Sequence, residues 1–258
     1  MLEVKVDPKK SLAINDFITT AEKQYGIKVI LAVESGSRAW SFPSQDSDYD
    51  IRLIYRHPMQ WYISPFTKKD VIENIFLGDL DLTGWDVAKA LALMHKSNAS
   101  LCEWLHSPVV YRDDTAKSSL LRQLSIDSFN SKPIFYHYLS LSKKKLLSGG
   151  AQKNAKSFLY ALRALLCARW VAEQRTIPPV NFFELTQCYL GDVKYSEQLG
   201  ILLEDKAQQS EQDNYTVPKQ LYDYALTELA RLQDVEVNVP LALQSDKAFD
   251  DVLYEIVQ

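Results

Sequence analysis

Apolar residues recur at helical spacing over residues 11–25, SLAINDFITTAEKQY, with Ser11 placed as N-cap and Gly26 as the stop. KVILAVE, residues 28–34, is a β-branched run that fits a buried strand and leads straight into Gly36-Ser37. Residues 48–55, DYDIRLIY, alternate. Asp48, Asp50, Arg52 and Ile54 fall on one face of the expected strand, Tyr49, Ile51, Leu53 and Tyr55 on the other. After His57-Pro58 a short aromatic helix or loop is expected, then a strand near 71–76 and another at 80–86, LDLTGWD. Asp86 stands as N-cap of the helix that follows. A further helix starts after Asn98, where Ser100 and Glu103 have capping-box spacing; Pro108 stops it, and VVY at 109–111 reads as one more strand.

Beyond about residue 116 the pattern is helical: 116–129, 133–148, 152–174, 181–190, 195–204 and 217–233, with Gly149-Gly150 and Ile177-Pro178-Pro179 as separators. KAQQSEQDN, 206–214, is polar enough for a loop. The expected fold is therefore α+β, with a mixed sheet carrying helices over residues 1–115 and a helical bundle over 116–258.

Composition changes this picture little. The 258 residues are 47% hydrophobic and 24% charged, as in a globular protein with a full core. A formal net charge of −4 argues against a broad basic surface for coating duplex DNA, and leaves room for a local positive cleft. Cys102, Cys167 and Cys188 lie far apart and are expected to be free, buried thiols of a reducing compartment. MLEVKVDPKK has no apolar signal core and no run is long enough to cross a bilayer, so a cytoplasmic protein without a membrane partner is expected. The four histidines lack zinc-site spacing, and Walker A, GxGxxG, GxSxG and paired CxxC motifs are missing from the sequence.

The chemistry concentrates in GSRAWSFPSQDSDYDIR, which begins at Gly36. Asp48 and Asp50 leave one face of a strand about 6.5–7 Å apart at Cα, close enough to converge on divalent cations. Carboxylate oxygens suit Mg²⁺, which binds through one or two carboxylates together with substrate phosphates. Gly36 lets backbone approach a phosphate, and the Ser37 hydroxyl and nearby N–H groups complete an anion cradle. Asp-rich turns before a strand also arise from ordinary turn chemistry. The Gly-Ser pair at this spacing favours the metal reading.

Gly36-Ser37, ten residues, then Asp48-Tyr49-Asp50 resembles the signature of the DNA polymerase beta nucleotidyltransferase superfamily. The stretches GWDVAKAL, KSNASLCEWLHSPVVY and KSFLYALRALLCARW are similar to the RNA ligase-associated branch of that superfamily, over about residues 30–185. The resemblance implies a polymerase-beta-like nucleotidyltransferase domain followed by a helical substrate- and nucleotide-binding domain. It implies two Mg²⁺ ions on Asp48, Asp50 and a third carboxylate. Asp81 is the choice for that third ligand; Asp86 is held in reserve, because its N-cap position already explains it. The implied reaction moves a nucleoside monophosphate from an NTP such as ATP to an acceptor hydroxyl, with an RNA 3′ end as the suggested acceptor in RNA processing. Nucleotidylation of a small molecule or protein, and a non-catalytic nucleotide sensor or antitoxin-like binder, stand as alternatives.

Charge partners for the triphosphate follow. Arg38 sits just after the Gly-Ser turn. Arg52, on the carboxylate face, neutralises the acidic cluster or touches phosphate, with a structural ion pair as the competing account. In the helix 152–174 a stripe of Lys156, Tyr160, Arg163, Cys167 and Trp170 opposes an apolar face of Phe158, Leu159, Leu162, Leu165 and Leu166. Lys156 and Arg163 are expected on phosphates and Tyr160 on base or sugar. The chain departs from the family pattern at Ser41, where glycine is more frequent, and at Ala88, where arginine is.

Overall fold

The structure is a computed structural model and describes residues 6–148, 151–152, 154–208, 217–238 and 244–258. It divides into two compact units: the described residues of Met1–Ala39, Asp48–Phe129 and Ala242–Gln258, and those of Trp40–Ser47 and Asn130–Leu241. In chain order the first unit holds α1 (Pro8–Tyr25), β1 (Lys28–Glu34), α2 (Gly36–Ala39), β2 (Tyr49–Arg56), α3 (Met59–Tyr62), β3 (Val71–Leu77), β4 (Leu80–Asp86), α4 (Val87–His95), α5 (Ala99–Leu105), β5 (Val110–Asp113) and α6 (Thr115–Asp127). The second unit holds α7 (Ser131–Leu147), α8 (Ala155–Gln174), α9 (Phe182–Tyr189), α10 (Val193–Gln208) and α11 (Lys219–Gln233). The last helix, α12 (Asp246–Val257), returns to the first unit. The fold is α+β, as expected. Among the described residues no helix is long and apolar enough to cross a membrane.

The five strands lie in the order β3-β4-β2-β1-β5. Every neighbouring pair is antiparallel except β2 and β4, which run parallel because β3 forms a hairpin with β4 at the sheet edge. Alternation along β2 decides what each face meets. Tyr49, Ile51, Leu53 and Tyr55 join Leu80, Leu82 and the α1 residues Ile14, Phe17 and Ile18 in one core. Ile54 points the other way, into a core with Leu91, Leu101, Leu121, Leu124, Phe249 and Ile256 from α4, α5, α6 and α12. At about 25 cal/mol per Å² of apolar area removed from water, these two layers supply the sheet's main driving force. Asp50 and Arg52 share the Ile54 face, in the first half of the strand.

Several local expectations are corrected. The first helix starts earlier than residue 11: Asp7 caps it, accepting from the Lys9 N–H, and Pro8 occupies the first turn, where its missing N–H costs nothing. Asn98, accepting from Leu101, is the cap of α5 rather than a Ser100–Glu103 box. The α12 helix was not expected, although Phe249, Val252, Leu253, Ile256 and Val257 carry helical spacing. The division expected after residue 115 differs from the compact units, since α6 buries Leu121 and Leu124 beneath the sheet. Cys102 and Cys167 are buried, whereas Cys188 is exposed. Gly149-Gly150 and residues 209–214 of the polar segment lie outside the described residues.

Candidate active site

The strand register brings acidic groups together. Asp50 of β2 pairs with Asp81 of β4, residue for residue across the parallel ladder, so both carboxylates leave the same sheet face. Neighbouring strands stand about 4.8 Å apart, and two carboxylates at that spacing repel unless a cation lies between them. Arg52 lies there. Its Nη2 donates to Asp50 Oδ1 at 2.7 Å and to Asp81 Oδ2 at 3.0 Å, while Nη1 donates to the carbonyls of Ile51 and Asp81. Asp81 Oδ1 is buried and accepts no hydrogen bond among the described residues.

Asp48 precedes β2 and is exposed, so it stands at the mouth of this arrangement rather than inside the sheet. Its carbonyl accepts from Arg38 Nε at 3.2 Å, and the Arg38 guanidinium rests 3.9 Å from the Tyr49 ring centroid. Gly36 opens α2 with φ of +62°, and a Cβ built there would fall 2.3 Å from Asp50 Oδ2. Both facts require glycine: the backbone is left-handed and the carboxylate occupies the space a side chain would take. Ser37 is buried beside it.

Glu34, which the sequence did not single out, supports Asp50 from behind. It is fully buried; Oε1 accepts from the Asp50 N–H at 2.9 Å, and Oε2 accepts from the Tyr111 hydroxyl. Burial pushes its carboxyl up to about 7, with the Tyr111 and Asp50 hydrogen bonds working the other way. Its own carbonyl accepts from Ser107 Oγ at 2.7 Å. An acid closing the apolar run KVILAVE was the available signal for a buried carboxyl.

Asp86 belongs elsewhere. It lies five residues along β4, opposite Tyr55, and is fully buried. Oδ1 caps α4 by accepting from Ala88 N at 2.8 Å. Oδ2 accepts from the Tyr62 hydroxyl at 2.9 Å and lies 2.9 Å from His57 Nδ1.

In the helical unit the expected stripe of α8 divides. Lys156 and Tyr160 are half-buried at its start, and Lys145 of α7 joins Lys156 over the Tyr160 ring, at 5.3 and 5.9 Å. Arg163 and Cys167 are interior, because residues 161–168 are buried on every side of the helix. The Arg163 guanidinium lies 4.2 Å from the Trp40 ring centroid and donates to the Val180 carbonyl. Trp40 and Phe42 pack on Tyr160, Phe42 also meets Phe182, and the buried Lys206 donates to Phe42 O and Ser44 Oγ. The segment joining the Gly-Ser turn to β2 is thus held by α8, α9 and α10. Ser41 within it has φ of +73°, the conformation that favours the glycine of related sequences.

The donor set of Asp50 and Asp81 fits a hard divalent cation: two adjacent carboxylates, with Asp81 Oδ1 lacking a hydrogen-bond partner among the described residues. Among the described residues no three His, Cys, Asp or Glu side chains gather to hold a metal by themselves. Oxygens from a bound phosphate would have to complete the set, the usual arrangement for Mg²⁺.

Residues 11–255 match the model of a family described as the RNA repair pathway DNA polymerase beta family. A Bacillus subtilis (strain 168) protein, described as uncharacterized protein YcgL, is 36% identical over 223 residues, 86% of either chain. The crystal structure of a nucleotidyltransferase-like protein from Exiguobacterium sibiricum 255-15 is similar at 16% identity and a TM-score of 0.29, over 92% of this chain and 77% of that one.

Proposed function

The chain belongs to the RNA repair pathway DNA polymerase beta family, and from that premise we propose that it transfers a nucleoside monophosphate from an NTP to an acceptor hydroxyl, releasing pyrophosphate. The proposed acceptor is an RNA 3′ end, in keeping with the family's description. The observation that carries this reading is the residue-for-residue pairing of Asp50 with Asp81 beside Gly36.

Asp50 and Asp81 would hold Mg²⁺, with Asp48 at the exposed edge as a further ligand. Bound there, Mg²⁺ supplies neutralisation of phosphoryl charge and a lowered pKa for the attacking hydroxyl. The chain's own groups do the rest. Asp81 Oδ1, without a donor among the described residues, is the proposed acceptor of the hydroxyl's proton. Gly36 leaves room for the Asp50 carboxylate against the backbone, and Ser37 and Arg38 are the proposed donors to phosphate. Glu34 fixes the Asp50 backbone so that its carboxylate keeps one direction. Lys156 and Tyr160 are the helical unit's proposed nucleotide contacts. Arg163, buried on Trp40, is assigned to packing instead.

Incubating the protein with α-labelled NTP, Mg²⁺ and RNA bearing a 3′ hydroxyl tests the reading. Label in the RNA with matching pyrophosphate is expected, and none with Asp50→Asn. Label in small molecules or protein instead would change the acceptor. Nucleotide binding without pyrophosphate under every acceptor would return the chain to a sensor.

A further inference from the structure

Arg52 occupies both carboxylates that the proposed reaction needs. One guanidinium nitrogen takes an oxygen from each, Asp50 Oδ1 and Asp81 Oδ2, and the other nitrogen is moored to two backbone carbonyls. The side chain is only 16% exposed, so the contact is desolvated enough to matter. A purely structural ion pair satisfies its acid completely, as Asp86 is satisfied by Ala88, Tyr62 and His57. Here Asp81 Oδ1 is left buried without a donor among the described residues, so the guanidinium offsets one of the pair's two charges and leaves the coordination of Asp81 incomplete.

We propose that Arg52 is a resident counter-ion of the Asp50–Asp81 pair, displaced when a divalent cation is bound by both carboxylates, with the polyphosphate of an incoming nucleotide as the guanidinium's next partner. The inference rests on the nucleotidyl-transfer reading above. It follows from charge: two carboxylates one strand apart need one cation between them, and a guanidinium and a divalent ion compete for the same lone pairs. Empty of nucleotide, the pair has one of its two charges offset by Arg52 and holds metal weakly. A triphosphate changes the balance, because Arg52 then trades carboxylate oxygens for phosphate oxygens of equal hydrogen-bonding quality. Loading of metal and nucleotide is coupled through this one side chain, and the coupling is reciprocal.

The test is Mn²⁺ binding, followed by the paramagnetic resonance of the free ion, on the full chain carrying wild-type Arg52, Arg52→Gln or Asp50→Asn. Without nucleotide, Arg52→Gln is expected to bind Mn²⁺ about tenfold or more tightly than wild type, the size of a lost charged hydrogen-bond pair. A non-hydrolysable NTP analogue should then tighten Mn²⁺ binding more in wild type than in Arg52→Gln. Equal or weaker binding by Arg52→Gln, with Asp50→Asn abolishing it, overturns the inference and leaves the enzymatic reading standing. No Mn²⁺ binding by wild type or Arg52→Gln, even with the analogue, overturns both. Should Arg52→Gln fail to fold, the ¹⁵N guanidinium signal of Arg52 in wild type, assigned through Arg52→Lys, decides. It is expected to shift on saturation with Mg²⁺ and the analogue, and an unmoved signal overturns the proposal.

Discussion

Two aspartates stand five residues apart on β4 and have opposite fates. Asp86, at the strand's end, is saturated: one oxygen caps α4, the other meets Tyr62 and His57, and none of it reaches solvent. Asp81, at the strand's start, shares one guanidinium with Asp50 and keeps a buried oxygen without any donor. Burying an unsatisfied polar atom costs about 1–3 kcal/mol, and this one lies within a pair of adjacent carboxylates. Asp86 is built into the fold, and Asp81 carries the proposed ligand site. Flanking sequence announces the cap at Asp86; the donors around the oxygens are what separate its surroundings from those of Asp81.

The hardest blow to this contrast comes from Asp81→Asn. Pyrophosphate release should fall about a thousandfold, the scale of losing a group aimed at transition-state charge, while the urea midpoint stays near wild type. Asp50→Asn should behave alike. Asp86→Ala should do the reverse: it strands the His57 nitrogen, the Tyr62 hydroxyl and the Ala88 N–H and should cost about 3–4 kcal/mol, read as a lower urea midpoint, with NTP-dependent turnover retained in the folded fraction. A swap of these outcomes would mean that the two aspartates had been assigned the wrong way round.

The contrast explains what was legible in the chain. Strand alternation in DYDIRLIY and the apolar-acid-apolar form of LDL put Asp50 and Asp81 on strands. Their adjacency was implied by the family resemblance and could not be read from alternation alone, because β2 pairs directly with β4 and skips β3 in chain order. Asp86 announced itself as an N-cap and is one. Arg163 misled: helical spacing sets it on a stripe with Lys156 and Tyr160, and periodicity cannot say that α8 is enclosed on all sides by residue 163. The α12 helix was written in Phe249, Val252, Leu253, Ile256 and Val257 and needed only the 3.6-residue period to be applied to the last twelve residues.

A third buried carboxyl sharpens the comparison through pH. Glu34 is hydrogen-bonded at both oxygens, yet desolvation raises it from 4.5 to about 7. Between those values the folded chain holds a proton that the unfolded chain has released, so stability falls as pH rises across that window. Below it the contribution is fully present; above about 7 it is lost. Glu34→Gln removes the titration. Its stability relative to wild type should therefore climb by roughly 2–3 kcal/mol from about pH 5 to about pH 8, measured in urea without added metal. A difference flat in pH would mean that Glu34 stays ionised, held by Tyr111 and the Asp50 N–H against its burial.

The finest test removes one donor from the saturated aspartate. Tyr62 is half-buried, and desolvation of its hydroxyl pushes the pKa up and keeps the proton in place to be donated to Asp86 Oδ2. The same oxygen atom of Tyr62 accepts from the His57 N–H at 3.0 Å, so the hydroxyl joins the end of β2 to the start of α4. Tyr62→Phe keeps the ring that packs on Trp61 and deletes only this link. Asp86 then retains Ala88 N and His57, so the cost should be about 1 kcal/mol, well below that of Asp86→Ala. Differential scanning of the two variants side by side measures the gap. A Tyr62→Phe loss as large as Asp86→Ala would make the hydroxyl, rather than the carboxylate, the centre of this end of the strand. A loss of nothing would mean that Asp86 has donors to spare, which would draw it toward Asp81 and weaken the division of labour on β4.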